Sequence, residues 1–164
     1  MIADTLTASR LVRVVLDGET PLSPCIQADR DQAVADLRAD NHFRPLARLD
    51  VPGPYGLRLT IRDGRLVFDV RTADDTPLLA IGLALGPFRG LVKDYQLLVD
   101  SHILAVQEGR EARIQAIDMG RRGLHDEGAA LMRERLSGKI EIDHDTARRL
   151  FTLVCVLHQK APAR

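Results

Sequence analysis

A β-hairpin is readable in the stretch Tyr55-Gly-Leu-Arg-Leu-Thr-Ile-Arg-Asp-Gly-Arg-Leu-Val-Phe-Asp-Val-Arg71. Apolar and polar side chains alternate on both sides of the central Asp63-Gly64 pair, which is typical of strands with one buried face. An Asp-Gly pair favours the two consecutive positive φ angles of a tight hairpin turn. The sequence therefore predicts two antiparallel strands joined by a two-residue turn.

Further strands are predicted before and after the hairpin. Residues 10–17 are rich in β-branched side chains and stop at Gly18, which indicates a first strand. Residues 78–85 are apolar throughout and bounded by glycine and proline, as is typical of a strand covered on both faces. The proline-containing segment 44–54 is predicted to be a loop or linker, and residues 139–142 a short strand.

The second half of the chain has a helical period. A largely apolar stripe follows helical spacing at Leu91, Tyr95, Leu98, His102 and Val106, which predicts a helix that ends at Gly109. A weaker stripe predicts an earlier helix over residues 27–41. A last helix begins at a cap, Asp143 or Asp145. Its second half is apolar on every side and indicates the centre of the core; a strand over residues 151–156 is the alternative.

Between the last two helical stretches lies a polar segment rich in glycine, residues 118–128. It reads Asp118-Met-Gly-Arg-Arg-Gly-Leu-His-Asp-Glu-Gly128, with three glycines and six ionisable side chains. Glycine commonly terminates helices. The segment is therefore predicted to form a corner between a short helix that carries Ile114 and Ile117 and another helix over residues 126–136.

The order of the elements, strands first and helices afterwards, predicts an α+β fold. The expected architecture is an antiparallel sheet of three to five strands with helices packed mainly on one face. A chain of 164 residues has room for one domain. We place this domain at residues 10–160, after a flexible N-terminal segment formed by residues 1–9.

The charge of the chain is balanced, with 23 basic and 23 acidic side chains. Broad binding to nucleic acid needs a positive field, so nucleic acid is not an expected partner. No apolar run approaches the roughly 20 residues that cross a bilayer, and no signal peptide is recognisable. We therefore expect a cytoplasmic protein without a membrane partner. The cysteines, Cys25 and Cys155, lack metal-ligand spacing.

The polar segment 118–128 is also the strongest candidate for a ligand site. Paired arginines are suited to clamping a phosphate or carboxylate, and an adjacent histidine offers acid–base chemistry. A second cluster stands at the start of a helix, where backbone N–H groups favour an anion. The predicted ligand residues are Arg121, Arg122, His125, Asp118, Arg89 and Lys93. In both clusters a solvated, structural surface is the alternative.

No catalytic constellation is recognisable in the sequence. It contains no nucleophile elbow, no phosphate-binding loop and no helical zinc motif. His125, Asp126 and Glu127 are adjacent, and neighbouring residues on a helix point about 100° apart, so the three side chains are not expected to converge on one atom. We therefore assign no catalytic residue, no metal site and no cofactor.

Several strings together resemble one known family. They are Asn41-His-Phe-Arg-Pro45, Gly53-Pro-Tyr55, Arg65-Leu-Val-Phe-Asp69, Pro87-Phe-Arg89, Val92-Lys-Asp-Tyr95, Ala116-Ile-Asp-Met-Gly-Arg-Arg-Gly-Leu-His125, Asp145-Thr-Ala-Arg-Arg-Leu-Phe-Thr-Leu153 and Cys155-Val-Leu-His158. The chain resembles, from about residue 40 to residue 158, a family of small alphaproteobacterial proteins catalogued as uncharacterised, UPF0262. The first forty residues match loosely. The resemblance implies a bacterial cytosolic protein and supplies no established activity.

The leading functional hypothesis is a non-enzymatic binding or regulatory module that forms a homo-oligomer. It would recognise a protein partner or a small anionic ligand through the polar segment. One alternative is a small enzyme for a phosphorylated or carboxylated substrate, which Arg121 and Arg122 bind while His125 exchanges protons. Another is association with RNA or the ribosome through the same arginines together with Arg148 and Arg149.

Overall fold

A computed structural model of the chain describes residues 8–18 and 21–159. In chain order, the elements are β1 (Leu11–Leu16), α1 (Pro24–Ala39), β2 (Phe43–Pro45), β3 (Tyr55–Arg62), β4 (Arg65–Thr72), β5 (Pro77–Ala84), α2 (Arg89–Glu108), α3 (Glu111–Leu136), β6 (Ile140–Ile142) and α4 (His144–His158). A 3₁₀ turn, Gly86–Phe88, leads into α2. The expected flexible segment, residues 1–9, lies outside the described residues except for its last two positions.

The predicted hairpin is confirmed as β3 and β4, which pair antiparallel along their whole length. Its turn residues, Asp63 and Gly64, have φ angles of 53° and 72°. These are the consecutive positive angles of a two-residue type I′ turn. One face of the hairpin is buried, and its side chains are Leu57, Leu59, Leu66, Phe68 and Val70. The helices pack against this face, and the α+β class is confirmed.

The sheet is mixed, which corrects the prediction of a fully antiparallel sheet. The strand order is β1-β3-β4-β5, and β1 runs parallel to β3. A parallel pair needs a crossover connection, and this one contains α1. Asn41 fastens the crossover: its side chain accepts a hydrogen bond from the Leu11 N–H at 2.7 Å and donates to the carbonyls of Leu11 and Leu37. Alternation within a strand predicts its faces but not the direction of its neighbour.

Strand β5 lies at the edge of the sheet, so the prediction of a strand covered on both faces is wrong. Among the described strands it pairs with β4 alone. The side chains that point away from the core, Ala80, Gly82 and Ala84, are exposed. The outward positions of β5 lack polar side chains because they hold the small residues alanine and glycine, and not because helices cover them.

A second sheet of two strands includes Arg44 and Pro45, the first two residues of the segment that was predicted to be a loop or linker. Strand β2 pairs antiparallel with β6, placing Phe43 opposite Ile142 and Pro45 opposite Ile140. The predicted strand over residues 139–142 is thereby confirmed as β6. Strand β2 could not be predicted from the local sequence pattern, because it has only three residues and its partner, β6, lies far along the chain.

The first, second and last predicted helices are confirmed as α1, α2 and α4. Helix α2 ends at Gly109, which has a φ of 67°. Asp143 caps α4 by accepting a hydrogen bond from the Thr146 N–H at 2.9 Å. Residues 150–157 of α4 are all buried, so α4 is the central core helix and the strand alternative is wrong. None of the helices formed by the described residues is long and apolar enough to cross a membrane.

The predicted corner over residues 118–128 is wrong, because this segment lies in the middle of one continuous helix, α3. Glycine weakens a helix by only about 1 kcal/mol relative to alanine, and packing of α3 on α4 outweighs this cost. Gly128 is required for that packing: a Cβ atom there would lie 2.4 Å from the Phe151 ring of α4. The glycine allows a close approach of two helices rather than ending one.

Replacing Gly128 by alanine is expected to destabilise the protein, because the new methyl group would overlap the Phe151 ring. Overpacking of this kind costs about 1–3 kcal/mol, and it should outweigh the gain from a better helix former. Gly123→Ala is the matched control, since a Cβ there meets nothing within 4 Å, and it should stabilise the protein. Urea unfolding followed by circular dichroism measures both. Equal effects of the two substitutions would contradict the role assigned to Gly128.

Candidate functional site

A cleft of about 220 Å³ opens between α1, α3 and α4. Its walls carry mostly polar side chains that recur about one turn apart, so each helix presents one face to the cleft. The lining residues are Asp29, Gln32, Ala33 and Asp36 of α1, Arg121 and His125 of α3, and Asp145, Arg148, Arg149 and Thr152 of α4. The cleft therefore gathers acidic and basic side chains from three distant parts of the chain.

The Asp29 carboxylate joins three helices beside the cleft. Its Oδ2 atom accepts hydrogen bonds from the Tyr95 hydroxyl of α2 at 2.6 Å and from Arg121 Nη2 of α3 at 2.5 Å. Tyr95 is fully buried, and the side chains of Arg121 and Asp29 are only 17% and 21% exposed. Charge-assisted hydrogen bonds are strong in such poorly hydrated surroundings. Asp29 therefore fixes the position of the Arg121 guanidinium.

These contacts also fix the protonation of the two donors. Burial raises the pKa of Tyr95 far above its ordinary value, and the hydrogen bond to Asp29 raises it further. Burial alone would lower the pKa of Arg121, but the charge of Asp29 and its hydrogen bond raise it overall. At neutral pH, Tyr95 is therefore a neutral donor and Arg121 is a cation.

His125, which lines the cleft, has one unprotonated ring nitrogen. Its Nδ1 atom donates a hydrogen bond to the Arg121 carbonyl at 2.7 Å. Since a carbonyl only accepts, Nδ1 carries the proton of the neutral ring and Nε2 keeps a free lone pair. The ring stands edge-on against Tyr95 and Phe151, at centroid distances of 6.1 and 6.0 Å.

The surroundings of His125 favour its neutral form. Burial lowers the pKa of His125, and the positive charges of Arg121 and Arg148 lower it further. The hydrogen bond to the Arg121 carbonyl and the charge of Asp29 oppose these effects without reversing them. At neutral pH, the imidazole is therefore an acceptor at Nε2.

Two arginines of α4 complete the basic side of the cleft. The Nε atom of Arg148 lies 3.3 Å from Asp126 Oδ1, but this buried atom has no hydrogen-bond partner among the described residues. Arg149 donates from Nη1 to the Asp40 carbonyl at 3.1 Å. The cleft thus holds Arg121, which a carboxylate fixes by a hydrogen bond, and Arg148, whose ion pair with Asp126 leaves Nε without a hydrogen bond.

Arg121 and His125 are the predicted ligand residues that the structure brings together at the cleft. They lie one turn apart on α3. Asp126 turns instead to α4, where it pairs with Arg148, and Glu127 lines a separate groove between α2 and α3. The prediction that His125, Asp126 and Glu127 do not converge on one atom is confirmed.

The other four predicted ligand residues do not line the cleft. Arg122 is exposed, and Asp118 lies 3.9 Å from His102 of α2. Arg89 and Lys93 are exposed side chains near the start of α2. Arg89 and Lys93 therefore take no part in the cleft, although the start of α2 faces the segment 118–128, since Tyr95 contacts His125.

The α1 wall of the cleft and the contact of Tyr95 with Asp29 were not predicted, and on α4 only Arg148 and Arg149 were named, as part of the RNA alternative. In the sequence, Asp29 is one charge in a mixed-sign run, and Tyr95 belongs to the apolar stripe of α2. The one local signal is spacing: Asp29, Gln32 and Asp36 fall on one face of α1. Spacing identifies a polar face but not the side chains opposite it. The contact between Asp29 of α1 and Arg121 of α3 could therefore not be predicted from the sequence.

The cysteines add no reactive thiol. Cys25 and Cys155 are both free. Burial raises the pKa of each, and the negative charge of Asp29 raises it further. Both thiols therefore stay protonated at neutral pH and are poor nucleophiles. Among the described residues, no group of three or more His, Cys, Asp or Glu side chains is arranged to hold a metal ion.

Acidification should reveal the buried, neutral state of His125. Its pKa in the folded protein lies below the ordinary value of 6.5, so the unfolded chain takes up this proton first as the pH falls. Stability that depends on the neutral ring is present above about pH 6.5 and is lost as the pH falls towards the folded pKa. Urea unfolding between about pH 8 and pH 5 should show a steeper loss for the wild type than for His125→Asn. Identical pH slopes, or an NMR titration of the ring above 6.5, would contradict this environment.

The chain matches the model of one protein family over residues 8–160, and the family is described as an uncharacterised protein family, UPF0262. The match therefore includes most of the first forty residues, where the resemblance read from the sequence was loose. No solved structure matches the chain.

Three relatives show how far this similarity extends. The chain is 64% identical to the UPF0262 protein of Granulibacter bethesdensis, over 93% of this chain and 92% of the relative. It is 58% identical to the UPF0262 protein of Acidiphilium cryptum, over 93% and 94% of the two chains. It is 53% identical to that of Maricaulis maris, over 93% and 95%. With the family match spanning nearly all of its residues, the chain belongs to the uncharacterised protein family UPF0262.

Proposed function

We propose that the protein is a binding module, and not an enzyme, whose cleft holds a small metabolite with a carboxylate or phosphate group. The observation that carries this proposal is the convergence of Arg121, Arg148 and Arg149 with the neutral His125 on one cleft. Guanidinium groups match the planar, bidentate geometry of these anions better than any other side chain.

Arg148 is the arginine best placed to hold the anion. Its buried Nε atom makes no hydrogen bond among the described residues and lies 3.3 Å from Asp126 Oδ1, so the guanidinium is incompletely satisfied within the protein. An anion in the cleft would give this guanidinium a further acceptor. Arg121 would act as a second, fixed positive charge, because its Nη2 atom is held by Asp29.

The acidic side of the cleft narrows the kind of ligand. Asp36 and Asp145 line the cleft together with the arginines, so a purely anionic ligand would meet repulsion on one side. A molecule with an anionic group at one end and hydroxyl or amino groups at the other would match both sides. The volume of about 220 Å³ suits a metabolite of few atoms.

The same arrangement disfavours RNA or ribosome binding through these arginines. Arg121 is paired with Asp29, Arg148 lies beside Asp126, and Arg149 lies 4.0 Å from Asp36. Such pairing leaves no strong positive field to collect phosphates along a strand. A cytoplasmic location forms part of our proposal, and the two free thiols are in keeping with a reducing compartment.

Isothermal titration with inorganic phosphate and a panel of small carboxylates, amino acids and sugar phosphates is the direct test. We expect at least one of them to bind, and Arg148→Gln to weaken its binding at least about tenfold, since a charged hydrogen bond contributes about 1.5–3 kcal/mol. Arg133→Gln is the control, because Arg133 is exposed on α3 and does not line the cleft. Absence of binding at about 10 mM, or equal affinities for wild type and Arg148→Gln, would overturn the proposal.

A second candidate function, acid–base catalysis on the bound metabolite, is favoured by one observation. The Nε2 atom of His125 is an unprotonated acceptor at the cleft, and its pKa is lowered by burial. On this view, His125→Ala should keep the fold but abolish turnover of the metabolite identified by titration, even at concentrations that saturate the cleft. NMR of that metabolite during long incubation with wild type measures the turnover. An unchanged metabolite spectrum would leave the protein a binding module.

A further inference from the structure

The outward edge of β5 carries backbone groups that no described strand satisfies. Between β4 and β5, the Leu85 N–H donates to the Gly64 carbonyl at 3.0 Å. Hydrogen-bonded pairs alternate along an antiparallel ladder, so the odd-numbered residues of β5 bond to β4. The N–H and C=O groups of the even-numbered residues therefore point away from the sheet.

One of these outward groups already has a partner, and its position confirms the alternation. The Leu78 carbonyl accepts a hydrogen bond from Arg48 Nη1 at 3.3 Å. The outward groups of Ala80, Gly82 and Ala84 remain, and all three residues are exposed. Together these three residues form what we call the open edge.

The open edge lacks the devices that usually keep sheet edges apart. Proteins guard edge strands with charged side chains, internal prolines or bulges. Residues 77–84 contain no ionisable side chain, and the proline of β5 is its first residue. The irregularity in the pairing with β4 lies at the Pro77 end of the strand, away from the open edge.

We propose that the open edge pairs with the same edge of a second copy of this chain, in an antiparallel arrangement about a two-fold axis centred on Gly82. Ala80 then lies opposite Ala84 of the partner subunit, and Gly82 lies opposite its own counterpart. Each of these pairs exchanges two N–H···O=C hydrogen bonds. The two four-stranded sheets become one continuous sheet of eight strands.

The register itself favours a second copy over an unrelated peptide. Pairing about Gly82 uses all three residues of the open edge and stops before Leu78, whose carbonyl is occupied by Arg48. β5 itself brings no charged side chain to the joint. On the core side, the half-buried Leu79 and Ile81 gain apolar neighbours from the partner, which extends the core across the joint.

The end of α3 offers further contact beside the joint. A depression of about 300 Å³ runs between the C-terminal half of β5 and the end of α3. It is lined by Glu134, Arg135 and Lys139, which carry both signs of charge. A surface of mixed sign can be complementary to its own two-fold copy. The open edge shares no residue with the ligand cleft, so the dimer is independent of the proposed binding function.

Sedimentation velocity between about 5 and 200 μM tests the dimer, together with amide hydrogen exchange resolved by NMR. We expect a mass twice that of the chain, and slow exchange at the amides of Ala80, Gly82 and Ala84. In the double variant Ala80→Lys with Ala84→Lys, four lysines would meet at the joint, so dimer affinity should fall at least tenfold while circular dichroism stays unchanged. Ala112→Lys, an exposed substitution on α3, is the control and should leave the dimer intact.

Two results would overturn the pairing. One is a monomer at every concentration, with the three even-numbered amides exchanging as fast as unprotected ones. The other is a dimer in which these amides exchange fast or whose affinity is unaffected by the double lysine variant. Because Ile81 and Leu83 bond to β4, their slow exchange in every sample serves as the internal control for an intact sheet.

Discussion

The contact between Gly128 and Phe151 is the constraint on which the core and the cleft both depend. The glycine lets α3 lie so close to α4 that the Phe151 ring occupies the space a Cβ atom would take. The same ring stands edge-on against His125, 6.0 Å between centroids. The packing of Phe151 against Gly128 in the core therefore also positions the His125 imidazole at the cleft. The same two helices, α3 and α4, contribute both to the core and to the candidate site.

The local sequence pattern was enough to predict those elements whose defining residues are close together in the chain. The β3–β4 hairpin is specified by alternating apolar and polar side chains and by an Asp-Gly turn, and both lie within one short stretch of sequence. The Asp143 cap and the Gly109 terminus of α2 are equally local. What local pattern missed depends on partners far along the chain: the parallel β1, the short β2, and the unbroken α3. In α3 the glycines resemble helix ends until the ring of Phe151 is placed beside one of them.

For the same reason, only part of the candidate site could be predicted from the sequence. Arg121 and His125 share a helix face, and the sequence singled out both. Arg122 was singled out equally, although it is the next residue and faces elsewhere on the helix. The carboxylate that fixes Arg121, Asp29, belongs to a helix ninety-two residues earlier. No spacing rule connects the two, because they come together only when α1 and α3 both pack against α4.

The hydrogen bonds accepted by Asp29 leave His125 as the neighbouring group whose charge changes on acidification. The contacts of Asp29 keep Tyr95 neutral and Arg121 charged, whereas burial lowers the pKa of the neighbouring His125. An anion bound beside His125 would stabilise the imidazolium, and the imidazolium would hold the anion more tightly. By thermodynamic linkage the two effects are equal in size. Proton uptake and anion binding at this cleft would then be one cooperative event.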